Sequence, residues 1–126
     1  MIERKWLTSE KAPKAIGPYS PAVRAGTWVF ISGQIGLDPL HGELVPGGFR
    51  AQAEQALRNL TALCAEAGGC GQVVKLTIYL TQLSDYPTLN ELMGEIWDPP
   101  YPARSVIGVR ELPRGAMIEV EAILVD

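Results

Sequence analysis

Histidine and cysteine are scarce in this sequence, and their scarcity excludes several kinds of active site. The 126 residues include one histidine, His41, and two cysteines, Cys64 and Cys70. His41 lies in a loop rich in glycine and proline, where a solitary histidine is usually a turn residue, so no serine–histidine or cysteine–histidine pair is predicted. Two cysteines without a CxxC motif or accompanying histidines do not make a zinc site, and we predict no metal site.

Long apolar runs, basic clusters and the common nucleotide and hydrolase motifs are also missing. The longest apolar runs have four residues, which is too short to span a membrane. The net charge is −3, the pI is near 5.2, and no run of Lys and Arg exceeds two residues, which argues against nucleic-acid binding. No GxGxxG, Walker, HExxH or GxSxG motif occurs. Any catalysis must therefore use Arg, Glu, Tyr, Ser, water and backbone amides, a set suited to reactions with low intrinsic barriers.

Composition indicates one ordinary globular domain over residues 1–126. Apolar residues make up 47% and charged residues 20% of the chain, as in typical globular domains. The charged start, Met1–Lys5, is not followed by an apolar segment, so we expect no secretory signal and a cytoplasmic location. In that compartment Cys64 is expected to be an unpaired core residue, and Cys70 a partly exposed one in a glycine-rich turn.

The first half of the chain predicts strands followed by one helix. Residues 4–8 predict a short strand, and residues 22–25 and 28–32 predict a hairpin. From residue 49 to residue 67, apolar side chains recur every three or four positions, which predicts an amphipathic helix. Gly68-Gly69 is expected to end that helix.

The segment from Ala12 to Pro21 has three prolines and one glycine in ten residues, which excludes a helix or a central strand. Two interpretations remain open for it. It is either an ordered loop that presents Tyr19, with Ile16 and Tyr19 available for burial, or an ordinary surface turn.

The second half predicts a strand, a helix and two more strands. Residues 73–81 alternate, and the predicted core face holds Val74, Leu76, Ile78 and Leu80. A second helix is expected over residues 86–97, capped by Ser84-Asp85 and ended by the prolines of residues 98–102. Two β-rich runs then follow, separated by a Pro-Arg-Gly turn.

The order β-β(β)-α-β-α-β-β predicts a two-layer α/β domain with both helices on one face of a sheet. The other face carries semi-polar residues such as Thr77 and Tyr79. Small domains usually cover such a face with another copy, so we expect a homo-oligomer.

Two charged residues interrupt the last strands. Arg104 and Glu119 occupy positions where the strand pattern calls for apolar side chains, and a charge on a covered strand needs a partner, a ligand or solvent. On spacing alone, the simpler interpretation is an edge-strand charge at Arg104 and a water-facing Glu119.

Several separated motifs run through the chain in a fixed order. They are Ala15-Ile-Gly-Pro-Tyr-Ser20, Ser32-Gly-Gln-Ile35, Gln52, Asn59, Val74-Lys75, Asn90, Pro102-Ala-Arg-Ser105, Leu112-Pro-Arg-Gly115 and Ile118-Glu-Val-Glu-Ala-Ile123. Together they resemble the RidA (YjgF-type) reactive-intermediate deaminase family over roughly residues 8–125. The resemblance implies a chorismate-mutase-like fold with a mixed sheet, a homotrimer, and ligand sites in the clefts between subunits.

The same resemblance implies hydrolysis of reactive enamines and imines, such as 2-aminoacrylate and 2-iminobutyrate, to 2-keto acids and ammonia. It implies no metal and no organic cofactor. By resemblance Arg104 clamps the substrate carboxylate, for which its planar fork is suited, and Glu119 positions the attacking water. The substrate-binding residues implied are Tyr19, Ser32, Gly33 through its backbone N–H, Asn90, and Val106 through its backbone amide. Glu121, on the same face as Glu119, is taken as structural.

The chain departs from the family pattern at two places. Val106 stands where many deaminases have cysteine, and the segment from Asn90 to Arg104 is a few residues shorter than usual. Both departures are expected to affect substrate range more than the carboxylate clamp. The alternative function is a non-catalytic trimer that binds carboxylates or keto acids at the same site. A nuclease or translation-inhibitor activity is disfavoured by the acidic pI.

Overall fold

Six strands form one mixed sheet, and both helices cover the same face of it. The computed structural model describes residues 1–126. The strands are β1 (Arg4–Leu7), β2 (Ala22–Ala25), β3 (Trp28–Gln34), β4 (Val73–Leu80), β5 (Ala103–Gly108) and β6 (Ile118–Val125). The helices are α1 (Gly48–Ala65) and α2 (Tyr86–Ile96). The sheet order is β1-β2-β3-β6-β4-β5, and only β4 and β5 pair in parallel. The predicted two-layer α/β architecture is confirmed.

Helix α1 packs its apolar stripe into the core between the helices and the sheet. The stripe consists of Ala53, Ala56, Leu57, Leu60, Leu63 and Cys64, all with at most 1% exposure. Gly68 and Gly69 follow the helix with positive φ angles, and the Gly69 N–H donates to the Cys64 carbonyl at 2.7 Å, which closes the helix end. Cys64 is thus a core residue as predicted, and Cys70 is a partly exposed free thiol.

Helix α2 begins differently from the prediction. Asp85 occupies the position before the helix, but its side chain makes no capping hydrogen bond. Its backbone has φ −83° and ψ 0°, because Asp85 ends a short 3₁₀ turn that runs directly into the helix; a capping side chain needs an extended backbone at that position. Neither α1 nor α2 combines the length and apolar character needed to cross a membrane.

The predicted core face of β4 is wrong at its first position. Val73 is buried and Val74 is 42% exposed, because the register between β4 and β6 shifts between Val73 and Lys75. Such a bulge reverses the alternation on one side of the irregularity. From Lys75 onward the prediction holds, and Thr77 and Tyr79 lie on the open face of the sheet.

The open face is also more apolar than β4 by itself indicates. Trp6, Trp28 and Phe30 are between 46% and 63% exposed, and Phe30 lies directly between Val23 of β2 and Ile123 of β6. A contiguous aromatic surface of this kind is typical of a face that is covered in an assembly.

Candidate active site

One cavity of about 580 Å³ opens beside the end of β3 and the start of β6. The proline-rich loop after residue 12 and the turn at Pro113–Gly115 complete its walls. Four of the residues singled out in the sequence line this cavity: Tyr19, Ser32, Gly33 and Glu119. The structure therefore brings together residues separated by up to 100 positions.

A bulge in β3 positions Ser32 and Gly33. Ile31 pairs with Ala122 and Gln34 pairs with Val120, so two residues of β3 face one residue of β6. The Ser32 amide donates to the Pro21 carbonyl at 2.9 Å, and the Ser32 hydroxyl donates to the Ser20 carbonyl at 2.6 Å. The hydroxyl oxygen can still accept a hydrogen bond from a ligand.

Glu119 extends from β6 over the backbone of Gly33. A Cβ atom at residue 33 would overlap the Glu119 carboxylate, so only glycine leaves room for it. Glu119 is half-buried, and no Lys, Arg or His nitrogen lies within 4.0 Å of its carboxylate. Burial raises the pKa of Glu119 above its usual value, and the negative charge of Glu121 raises the pKa further.

Tyr19 belongs to an ordered turn and remains accessible to a ligand. Its ring is 50% exposed, and its hydroxyl accepts a long hydrogen bond of 3.4 Å from the Ile16 amide. The segment presents Tyr19 to the cavity, as the first of the two interpretations expects. The expectation that Ile16 and Tyr19 are buried is wrong, because Ala12 fills the core for this segment instead.

Arg104 lies on β5, which is an edge strand, and faces helix α2. Its guanidinium donates to Asn90 Oδ1 at 2.8 Å and to Met93 Sδ at 3.3 Å, and it donates a short bond to the Tyr86 hydroxyl. No carboxylate lies within 4.0 Å of it. Arg104 and Asn90 line a second cavity of about 390 Å³ together with Tyr101.

Val106 lines neither of these two cavities. It pairs with Ile78 of β4 and packs against the core under the helices. Its side chain therefore packs against the core, and the binding role that the resemblance implies for Val106 belongs to its backbone amide.

Arg104 and Glu119 lie on opposite faces of the same sheet. Arg104 is opposite Leu76, whose side chain points to the helices, whereas Glu119 is opposite Tyr79 on the open face. With β4 between them, their Cα atoms are roughly 14 Å apart at ~3.3 Å per residue along a strand and ~4.8 Å between strands. One chain cannot place both side chains on one small ligand.

Comparison with protein families shows which family the chain belongs to. The family model described as Endoribonuclease L-PSP matches residues 9–125. The chain belongs to this family. The mouse protein named 2-iminobutanoate/2-iminopropanoate deaminase is 47% identical over 99% of this chain and 93% of its own length. The resemblance to the RidA family is thereby confirmed.

Solved structures of this family share the fold. RidA from an Antarctic Psychrobacter is 46% identical, with a TM-score of 0.92 over 97% of this chain and 99% of that one. TdcF from E. coli, crystallised with bound serine, is 39% identical, with a TM-score of 0.91 over 97% and 98% of the two chains.

Several residues at the two cavities were not predicted from the sequence as site residues. In the larger cavity they are Lys14, Gln34, Arg114 and Glu121, and at Arg104 they are Tyr86, Met93 and Tyr101. The positive φ of Arg114 places its side chain at the cavity rim. The Pro-Arg-Gly sequence indicates a turn, but a left-handed residue in such a turn is normally the glycine, so nothing in the sequence indicated the positive φ of Arg114.

Two of the family-motif residues, Asn59 and Gln52, hold α1 in place near the larger cavity through hydrogen bonds. Asn59 is fully buried, and its Nδ2 donates to the carbonyls of Ile35 and Leu37 at 3.1 and 2.9 Å. Gln52 Oε1 accepts from the Met117 amide at 2.9 Å. Both side chains thereby fix α1 against the cavity walls.

His41 has the turn position that was predicted for it, but it does have a local partner. Its Nδ1 lies 2.9 Å from Asp38 Oδ2, and this contact raises the pKa of His41. No group of three or more His, Cys, Asp and Glu side chains is placed to bind a metal ion.

Proposed function

We propose that the protein hydrolyses reactive 2-enamine and 2-imine acids, such as 2-aminoacrylate and 2-iminobutyrate, to 2-keto acids and ammonia. Arg104 binds the substrate carboxylate and Glu119 positions the attacking water. The sequence relatives support the substrate class, since proteins more than 40% identical over nearly the full chain are named 2-iminobutanoate/2-iminopropanoate deaminase.

The main support for this proposal is the guanidinium of Arg104, which is fixed by hydrogen bonds but has no acidic partner. Asn90, Met93 and Tyr86 all contact it, yet none of them neutralises its charge. A positive charge that is fixed in position and lacks an acidic partner is suited to bind an anionic ligand. The planar guanidinium can donate two parallel hydrogen bonds to a carboxylate. TdcF, with its bound serine, is a relative that binds a small molecule carrying such a carboxylate.

The site is proposed to form between two copies of the chain in a homotrimer. Arg104 and Glu119 face away from each other across the sheet, and the open face exposes Trp6, Trp28 and Phe30. Packing the open face of one copy against the β5 edge of the next would cover the aromatic residues and would join the two cavities.

The chemistry needs three proton transfers, and Glu119 is suited to each of them. Its carboxylate takes a proton from the water as the oxygen bonds to the carbon of the protonated imine, which gives a neutral carbinolamine. Glu119 then gives that proton to the nitrogen. As the C–N bond breaks, the carbinolamine hydroxyl gives its proton to the Glu119 carboxylate, so that ammonia leaves and the keto acid forms. A raised pKa makes Glu119 a better base than an ordinary glutamate, and imines hydrolyse readily, so modest help is enough. The proposed reaction needs no metal or organic cofactor.

The alternative is a trimer that binds carboxylates or keto acids without turnover. The unpaired Arg104 supports it equally, because the guanidinium would hold either ligand. Only turnover separates the two functions. Under the alternative, Arg104→Ala loses ligand binding, and the wild-type protein does not speed imine hydrolysis.

The first test uses 2-iminobutyrate generated in place by threonine dehydratase, with semicarbazide competing for the imine. The wild-type protein should suppress semicarbazone formation, whereas Arg104→Ala and Glu119→Gln should not. Arg110→Ala and Glu111→Gln are matched controls, since both side chains are exposed and line neither cavity. If the wild-type protein and all variants behave like buffer, the deaminase function is wrong and carboxylate binding is measured next.

A further inference from the structure

The hydroxyl of Tyr79 on β4 contacts the carboxylate of Glu121 on the neighbouring strand β6, in a diagonal position. Its oxygen lies 2.5 Å from Glu121 Oε1, the distance of a charge-assisted O–H···O⁻ bond. In the register of the sheet Tyr79 is directly opposite Glu119, and Glu121 is opposite Thr77. The contact therefore links the cross-strand pair Tyr79–Glu119 with the next pair on the same face, Thr77–Glu121.

This contact fixes a negative charge beside Glu119. Glu119 and Glu121 share one face of β6, roughly 7 Å apart at their Cα atoms, and both line the larger cavity. The hydrogen bond to Glu121 raises the pKa of Tyr79, so the phenol stays a donor to that carboxylate. Glu121 in turn raises the pKa of Glu119 after the larger effect of burial.

The other charged and titratable groups around Glu119 do not cancel that charge. The proline-rich loop contributes Lys14 and Tyr19 to the same cavity, and the turn before β6 contributes Arg114. Neither cation lies within 4.0 Å of Glu119 or Glu121. The guanidinium of Arg114 donates instead to the Gly42 carbonyl.

We propose that Tyr79 and Glu121 are positioning residues for the reaction: the phenol anchors Glu121, and the anchored charge makes Glu119 the carboxyl that carries the proton. This inference rests on the proposed function of Glu119. The two glutamates then have different roles because their surroundings differ: Glu121 is hydrogen-bonded to a phenol, whereas Glu119 is half-buried and able to accept a proton.

The direct test is Glu121→Gln, which keeps the side-chain shape and an acceptor for Tyr79 but removes the charge. Without the nearby charge, the ionised form of Glu119 becomes easier to form and its pKa falls. The acid limb of the kcat/KM profile should move to lower pH. At neutral pH kcat should fall about two- to threefold, because Glu119 becomes a weaker base. The matched control is Glu111→Gln, whose profile should superimpose on that of the wild type.

Tyr79→Phe provides a second, independent variant. It keeps the ring and removes only the donor, so Glu121 can turn into solvent, where its charge is screened. The acid limb should move in the same direction as in Glu121→Gln, but by less. If both variants change the melting temperature and leave the acid limb in place, the pair is merely structural and the inference is wrong.

A readout that does not depend on turnover separates this inference from the proposed function. The titration of Glu119 can be followed by carbon NMR of protein labelled at the glutamate carboxyl groups, with Glu119→Gln assigning the signal. Its midpoint should fall in Glu121→Gln, and an unchanged midpoint overturns the inference. An inactive wild-type protein overturns the proposed function, while the NMR midpoint still decides whether Glu121 acts on Glu119.

Discussion

The Glu119 carboxylate lies against the backbone of Gly33, where a Cβ atom would overlap it. Residue 33 has no positive φ angle, so glycine is required here for the close approach of a side chain and not for backbone conformation. The β3 bulge creates the approach by placing two residues opposite one residue of β6. Gly33 of the bulge and the carboxylate of Glu119 thus line the same cavity.

Gly33→Ala should therefore inactivate the protein without unfolding it. The added methyl group forces Glu119 out of its position, and a displacement of about 1 Å in a catalytic group can cost on the order of 100-fold in rate. The deaminase assay and a thermal melt, run side by side, check both parts. Gly71→Ala is the control, because a Cβ at residue 71 meets no atom within 4 Å. A fully active Gly33→Ala protein would contradict the placement of Glu119.

Mixed oligomers test whether Arg104 and Glu119 of different copies form one site. Arg104→Ala and Glu119→Gln chains should each be inactive alone. After unfolding and refolding together in equal amounts, about a quarter of the sites should combine an intact arginine with an intact glutamate from neighbouring copies. Recovered activity in the mixture checks this prediction. If both residues of a site came from one chain, every site would lack one of them and mixing would restore nothing.

Asn59→Leu should strongly destabilise the fold. The buried Asn59 side chain donates hydrogen bonds from Nδ2 to the Ile35 and Leu37 carbonyls. Its Oδ1 accepts a hydrogen bond from Gln55 Nε2 at 2.8 Å. Leucine would leave the two carbonyls buried without donors, at a cost of about 2–4 kcal/mol in the free energy of unfolding. Urea unfolding at fixed protein concentration measures it. Gln55→Ala, which removes only the more exposed partner, should cost clearly less; equal costs would contradict the assigned role of the amide.

The titration of Glu119 should make the wild-type protein less stable at neutral pH than Glu119→Gln. The folded state raises the pKa of this group above 4.5, so the folded protein binds the proton more tightly than the unfolded chain does. The stability of the wild-type protein relative to Glu119→Gln therefore falls as pH rises from about 4.5 through the folded-state pKa. Above that pKa the stability difference between the two proteins stays constant.

Melting curves at two pH values check this prediction. At pH 7.5 the glutamine variant should melt higher by about 1–3 °C, a small gain because the half-exposed carboxylate keeps part of its hydration. At pH 4 the difference should shrink toward zero. A constant difference at both pH values would show that packing, and not ionisation, separates the two proteins.

Periodicity in the sequence was enough to place the regular elements. Both helices and the first four strands lie within a few residues of their predicted bounds, and β5 and β6 lie on either side of the Pro-Arg-Gly turn as predicted. Amphipathic patterns of period two and 3.6 indicate directly which side chains are buried. The failures occur at irregular positions. Val74 and the Gly33 region depend on bulges, and no local pattern announces a bulge that forms against a distant strand.

The sequence by itself determined the fold class and the family, and it singled out Arg104 and Glu119 as charges that interrupt strand patterns. The tertiary structure decided where those charges point. One faces the helices and the other faces the open side, and that outcome depends on the registers of β5 and β6 against β4. The structure also decided that Tyr79 holds Glu121 and that Gly33 makes room for Glu119. These contacts join residues far apart in the chain, so their geometry exists only once the sheet has formed.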